Sequence, residues 1–114
     1  MLQAGSGGRL HALQGSLPYM PPEQLLGHAP GFQNDVFAFG VVLFQMLTGR
    51  LPFPNAHPST TRSIVRRLVA RAPRPGQLNP HVPTWLDEIV LTCLAGQERR
   101  FRDVREVLAA LSSH

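Results

Sequence analysis

Lysine is absent from the sequence. All eleven basic residues are arginines, and against seven acids they leave a formal net charge of +4. No side chain in the 114 residues therefore carries an amine. Cysteine is nearly absent: the single Cys93 excludes an internal disulfide and makes a reducing compartment the default. A lone cysteine among helical residues is expected to be a buried packing group. Long apolar runs are missing too. The longest, residues 36–47, is about 12 residues, where a membrane span needs roughly 20. Residues 1–13 show no basic start followed by an apolar core, so no secretion signal is read and the cytoplasm is the expected location. There is no alternating strand pattern and no internal repeat. The five histidines, His11, His28, His57, His81 and His114, have no i, i+4 pairing, so no metal site is expected. No Ser-His-Asp or Cys-His arrangement suggests a nucleophile.

What is present is helical. Hydrophobic residues make up 43% of the chain, enough for one domain with a core rather than a disordered polymer. Between Val36 and Leu47 only Gln45 is strongly polar. A surface helix would show a polar stripe, so residues 34–48 are expected to form a central helix with other helices around it. Asn34 can cap its first turn, Asp35 suits the positive end of its dipole, and Gly49 can close it in the left-handed conformation. Gly40 allows another backbone to approach closely.

The rest of the chain supplies candidate neighbours. Residues 1–14 are Gly/Ser-rich and read as a flexible segment. Residues 15–23 hold three prolines and should be extended before a short helix at about 22–26. Residues 50–59 and 73–83 read as irregular, proline-rich connectors. Between them, residues 60–72 form a predicted helix with Ile64, Val65, Leu68 and Val69 on one face. Its other side carries the arginine pairs Arg62/Arg66 and Arg67/Arg71. Thr84 is a candidate cap for a helix to about Leu94, with Asp87 in a variant capping box, and Ile89, Val90, Cys93 and Leu94, with Trp85 and Leu86, form its expected buried side. A last helix begins at Asp103, with Glu106 as its box partner and Val104, Val107, Leu108 and Leu111 at helical spacing. The fold class is all-α.

Three blocks resemble a known family. Gly15-Ser16-Leu17-Pro18-Tyr19-Met20-Pro21-Pro22-Glu23 is similar to Gly-Thr-x-x-Tyr-Met-Ala-Pro-Glu, the end of the activation segment in protein kinases of the Ser/Thr type. Asp35-Val36-Phe37-Ala38-Phe39-Gly40-Val41 resembles Asp-Val-Trp-Ser-Phe-Gly-Val at the start of the family's central helix, and Leu47-Thr48-Gly49-Arg50-Leu51-Pro52-Phe53 resembles its exit. Leu78-Asn79-Pro80, Leu86-Asp87-Glu88-Ile89-Val90 and the block from Cys93-Leu94-Ala95 to Arg100-Phe101 follow in the family's order. The last is one residue shorter than usual, with Glu98 near the customary proline. The chain is thus identified as resembling the C-terminal lobe of a bacterial-type kinase over residues 15–112, with residues 1–14 outside it.

The resemblance implies roles. Glu23 matches the glutamate that pairs with an arginine before the last helix, for which Arg100 is the candidate and Arg99 the alternative. Asp35 matches the aspartate that holds the family's catalytic loop. Gly15, Ser16 and Tyr19 match its substrate-binding segment, and protein substrates or regulatory proteins are the implied partners. The complete family uses ATP and magnesium. Phosphoryl transfer needs a positioning lysine, a glycine-rich loop, a catalytic aspartate and metal ligands. This chain contains no lysine, no His-Arg-Asp-x-x-x-x-Asn and no Asp-Phe-Gly. Gly5-Ser6-Gly7-Gly8 follows no strand and opens no helix, so it reads as linker. No catalytic, cofactor-binding or metal-binding residue is therefore expected, and the chain alone should be inactive.

The alternative is a non-catalytic protein-binding module, of pseudokinase kind, using residues 60–72. Four arginines on a helix could also meet nucleic acid, but a solvated arginine face without interleaved aromatics is the better explanation. In complete kinases the central helix supports segments that would precede Met1. One of its faces, carrying some of Phe37, Val41, Phe44 and Leu47, is therefore expected to lack cover, to be closed by a missing upstream segment or by self-association.

Overall fold

The computed structural model describes residues 19–53 and 71–114. Among them regular structure is helical, without strands. The elements are α1 (Pro22–Leu25), α2 (Phe32–Thr48), α3 (Pro75–Leu78), α4 (Thr84–Cys93) and α5 (Val104–Ser112). The all-helical expectation holds, with α2 at the centre and α3, α4 and α5 packed on it. The predicted helix 60–72 lies outside the described residues except for Arg71 and Ala72, as do residues 1–14. No helix among the described residues is long and apolar enough to cross a membrane.

The ends of α2 show how its sequence sets its length. The helix starts two residues earlier than expected, and Asn34 is not its cap. Asn34 sits inside the first turn and its Oδ1 accepts the Gly31 N–H at 3.0 Å, reaching back to a donor that the helix leaves free. At the other end Gly49 has φ 75° and its N–H donates to the Gln45 carbonyl at 2.7 Å, the left-handed closure expected of it.

Thr84 is likewise not a cap. It is the first residue of α4, after extended Pro83, and no side chain caps that end. Trp85, expected on the buried side, stands at this open first turn, 37% exposed, and stacks on His114 instead. Asp87 turns away to α3, where its Oδ1 accepts the Gly76 N–H at 2.8 Å. That short helix was expected to be irregular connector. Pro75 starts it because proline suits a first turn. Asp103 does cap α5, accepting the Glu106 N–H at 3.1 Å, while Glu106 reaches back to the Arg102 N–H at 2.6 Å.

Two clusters make the core. Phe37, Val41 and Phe44 of α2 meet Val90 and Leu94. Val36 meets Ile89 and Cys93 of α4 and Val107 of α5. Gly40 lies at the crossing. A Cβ built there would stand 2.5 Å from the Cys93 Cβ and 3.1 Å from a Leu94 methyl, so only glycine allows α2 and α4 this separation. Tight crossing places Phe37 and Val36 together in the interior, and Phe37 also stacks on Phe53 at 6.1 Å between ring centroids.

Among the described residues nothing covers one face of α2, but it is not the face expected. Phe37, Val41 and Phe44 are buried, because at 100° per residue they turn toward α4. Leu47 is half-buried. The opposite side carries Phe32, 78% exposed, then Asp35, half-buried Phe39, Val42 at 42% and Met46 at 76%. Their spacing of 3, 4, 3 and 4 residues makes one apolar stripe along the helix, interrupted by Asp35. The helix is apolar on two sides: one is the core, and the other faces outward.

Candidate functional site

The polar centre of the molecule is built where three chain segments meet. The extended chain at Pro21 turns into α1 and points Glu23 inward. The loop after α4 brings Arg100 to the same point, 77 residues on. Glu23 is 9% exposed and Arg100 4%. The guanidinium takes the carboxylate with both terminal nitrogens: Nη1 donates to Oε2, and Nη2 to Oε1 at 3.0 Å. Nε donates to the Ala95 carbonyl at 3.0 Å, and Nη1 also to the Gln33 carbonyl at 3.3 Å. Its flat face lies over Phe37, 5.2 Å from the ring centroid. Four of five donor hydrogens are thus engaged, which is how a buried arginine remains tolerable. Arg99, the residue before it, is exposed.

Neutral amides extend the network. Gln33 Nε2 donates to the Gln97 carbonyl at 2.9 Å, tying the start of α2 to the loop that carries Arg100. Asn34 Nδ2 donates to Gln24 Oε1, tying it to α1. Asn79 Nδ2 donates to the Leu47 carbonyl at 2.9 Å, closing the far end of α2. Sequence patterning missed Gln24 and Gln33 because an isolated Gln has no period. Asn34 was marked only as a helix cap, and the Leu-Asn-Pro block flagged Asn79.

Cys93 lies at 0% exposure between α2 and α4. Burial pushes its thiol up to about 12, partly countered by the positive charge of Arg100. It is a thiol, not a thiolate, at neutral pH, and so is neither nucleophile nor ready metal ligand.

The remaining candidate residues are not gathered into one site. Gly15 and Ser16 lie outside the described residues. Tyr19 is half-buried against the first core cluster, and its hydroxyl donates to Gln45 Oε1 of α2 at 2.7 Å. Asp35 is exposed on the first turn of α2 and makes no hydrogen bond or ion pair among the described residues. With Phe32, Asp103, Val104 and Arg105 it lines an open groove of about 310 Å³ between the starts of α2 and α5. Asp103 has its carboxyl held below the usual range by the Glu106 N–H and, secondarily, by Arg105. Asp87 serves Gly76. The three aspartates thus lie apart, and among the described residues no three His, Cys, Asp or Glu side chains converge on a metal position.

Comparison with known proteins agrees with this architecture. The protein kinase domain model matches residues 2–108. A probable serine/threonine-protein kinase of Clostridium acetobutylicum is 31% identical over 100 residues, 87% of this chain and 15% of its own length. The serine/threonine-protein kinase PrkC of Bacillus subtilis is 35% identical over 85 residues, covering 75% of this chain and 13% of its own. PknD of Chlamydia pneumoniae is 35% identical over 103 residues, 88% and 11% respectively. The chain therefore spans less than a sixth of the length of these relatives.

Proposed function

The chain belongs to the protein kinase domain family, and we propose that it supplies the substrate-side helical lobe of a protein serine/threonine kinase. In that role Tyr19, with Gly15 and Ser16, faces the protein whose hydroxyl receives the γ-phosphate of ATP. The observation that carries this reading is the buried Glu23–Arg100 pair. It locks the segment that ends in Tyr19-Met20-Pro21-Pro22-Glu23 onto α2 and onto the loop before α5. A surface built to meet substrate must hold a fixed shape, and an ion pair with four anchored donors provides one.

The chemistry of transfer lies outside this chain's own residues. Asp35, Asp87 and Asp103 are dispersed, and no lysine exists to draw in a phosphate. ATP and magnesium are therefore assigned to the remainder of a complete kinase domain. The apolar stripe of α2, with the uncommitted carboxylate of Asp35 in its midst, is the surface on which that remainder would rest. The 114-residue chain alone is expected to show no thermal shift with ATP and magnesium and no transfer of labelled phosphate to a generic serine substrate. Either signal would overturn this division of labour.

A second reading is a non-catalytic protein-binding module that meets its partner through residues 60–72, where the sequence places Arg62, Arg66, Arg67 and Arg71. Capture of one specific protein, lost on changing Arg66 and Arg67 to Glu while phosphate transfer stays absent in every mixture, would select it. Association of the chain with itself is the remaining way to cover the stripe, and concentration-dependent sedimentation would report it.

A further inference from the structure

We propose that Gln24 and Asn34 are positioning residues for phosphoryl transfer: their amide bridge holds the substrate-side segment in register with the part of the kinase domain that rests at Asp35. This rests on the substrate-side reading above.

Gln33, Asn34 and Asp35 are three consecutive polar side chains on the first turn of α2. At about 100° per residue they leave the helix in three directions. Gln33 reaches the loop before α5, where its Nε2 donates to the Gln97 carbonyl at 2.9 Å and to the Phe101 carbonyl at 3.4 Å. Asn34 reaches α1, where its Nδ2 donates to Gln24 Oε1. Asp35 is exposed and lines the groove between the starts of α2 and α5. Two of the three side chains thus fix the turn, and the third is left for the remainder of the domain.

The bridge from Asn34 is more than a helix start. That task falls to its Oδ1, which accepts the Gly31 N–H at 3.0 Å. The Nδ2 bond goes instead to the residue that directly follows Glu23, the end of the substrate-side segment. Residues 26–31, which join α1 to α2, are all exposed, with Gly27 at φ 96°. A loop with so little packing does not by itself set the relation of the two helices. The Glu23–Arg100 pair meets α2 at the Gln33 carbonyl, 3.3 Å from Arg100 Nη1. The Gln24–Asn34 bond is a direct side-chain link from α1 to the turn that carries Asp35. It therefore governs how the substrate serine stands relative to whatever is seated at Asp35. Misplacing reacting groups by about 1 Å costs on the order of 10²-fold in rate.

The test mixes the full chain with a segment of an active serine/threonine kinase that carries the His-Arg-Asp and Asp-Phe-Gly motifs. With ATP and magnesium present, transfer of labelled phosphate to a serine peptide is followed against peptide and against segment concentration. Gln24→Leu keeps the bulk of the side chain but gives up the acceptor. It lowers kcat about tenfold, while the KM for peptide and the segment concentration at half-maximal transfer stay unchanged. Gln24→Asn, an amide one methylene too short for Asn34, has the same effect. Gln24→Glu still accepts from Asn34 and recovers most of the rate. Asn79→Ala removes the amide tie at the other end of α2, and lowers the unfolding midpoint without lowering kcat. A kcat that simply follows the unfolding midpoint across these variants, or one unchanged in Gln24→Leu and Gln24→Asn, overturns the bridge while the substrate-side reading stands. No transfer by the mixture with the unaltered chain overturns both.

Discussion

Arg100 is the single side chain on which most of the polar interior depends. Its removal leaves the Glu23 carboxylate buried without a counter-charge and three carbonyl or carboxylate partners without donors. Arg100→Ala is expected to destabilise the fold by about 3–5 kcal/mol, measured by urea unfolding. Glu23→Gln, which retains an acceptor, should cost less. A loss for Arg100→Ala no larger than that of an exposed arginine such as Arg99 would contradict the geometry. At this scale the sequence was informative only where a resemblance supplied the role. Glu23 and Arg100 are distant in sequence, and nothing in composition or periodicity marks either as buried. The bond from Tyr19 to Gln45 was not legible at all: a single glutamine on an apolar helix announces polarity but not its partner.

At the scale of helices the packing of α2 on α4 is set by what Gly40 omits. Gly→Ala in a helix ordinarily gains about 1 kcal/mol of propensity. Here the added methyl would lie 2.5 Å from the Cys93 Cβ, and both helices would have to move apart. Overpacking costs about 1–3 kcal/mol, so the net effect of Gly40→Ala is destabilisation, read as a lower unfolding midpoint. A stabilised variant would mean that the crossing is looser than described.

Helix α5 depends on its cap. The Asp103 carboxyl is held low by the Glu106 N–H, so its stabilisation is present above the unfolded carboxylate value and is lost as pH falls through the lower, folded value. Asp103→Asn removes that dependence on charge. The difference in helical circular dichroism between the two chains should therefore be present at neutral pH and shrink in acid. Trp85, the sole tryptophan, stacks on His114 at 4.3 Å and reports the docking of α5's end by fluorescence.

Helices with marked ends, α2 and α5, were legible within two residues. The cap of α4 was not. Thr84 and Asp87 fit the spacing of a capping box, but Gly76 offered Asp87 a better-placed donor. The four-residue α3 is too short to carry a period, and only Pro75 hinted at it. The exposed face of α2 was foreseen but assigned to the wrong residues. A helix apolar all round does not say which side its partners take, and that choice is made by Gly40 and by the positions of α4 and α5.

At the scale of the molecule, the described residues form a helical lobe with a closed interior and an apolar outer face on α2 that no described residue covers. Its core closes around Phe37, Val41 and Phe44, while Phe32, Val42 and Met46 turn outward with Asp35 among them. The most direct measurement of the proposed role is reconstitution. The 114-residue chain is mixed with a segment of an active serine/threonine kinase that carries the His-Arg-Asp and Asp-Phe-Gly motifs, and labelled phosphate transfer to a serine peptide is followed. Neither part alone should transfer phosphate, the mixture should, and Val42→Arg on the stripe should abolish the gain. Transfer by this chain alone, or a gain indifferent to Val42→Arg, would contradict the account.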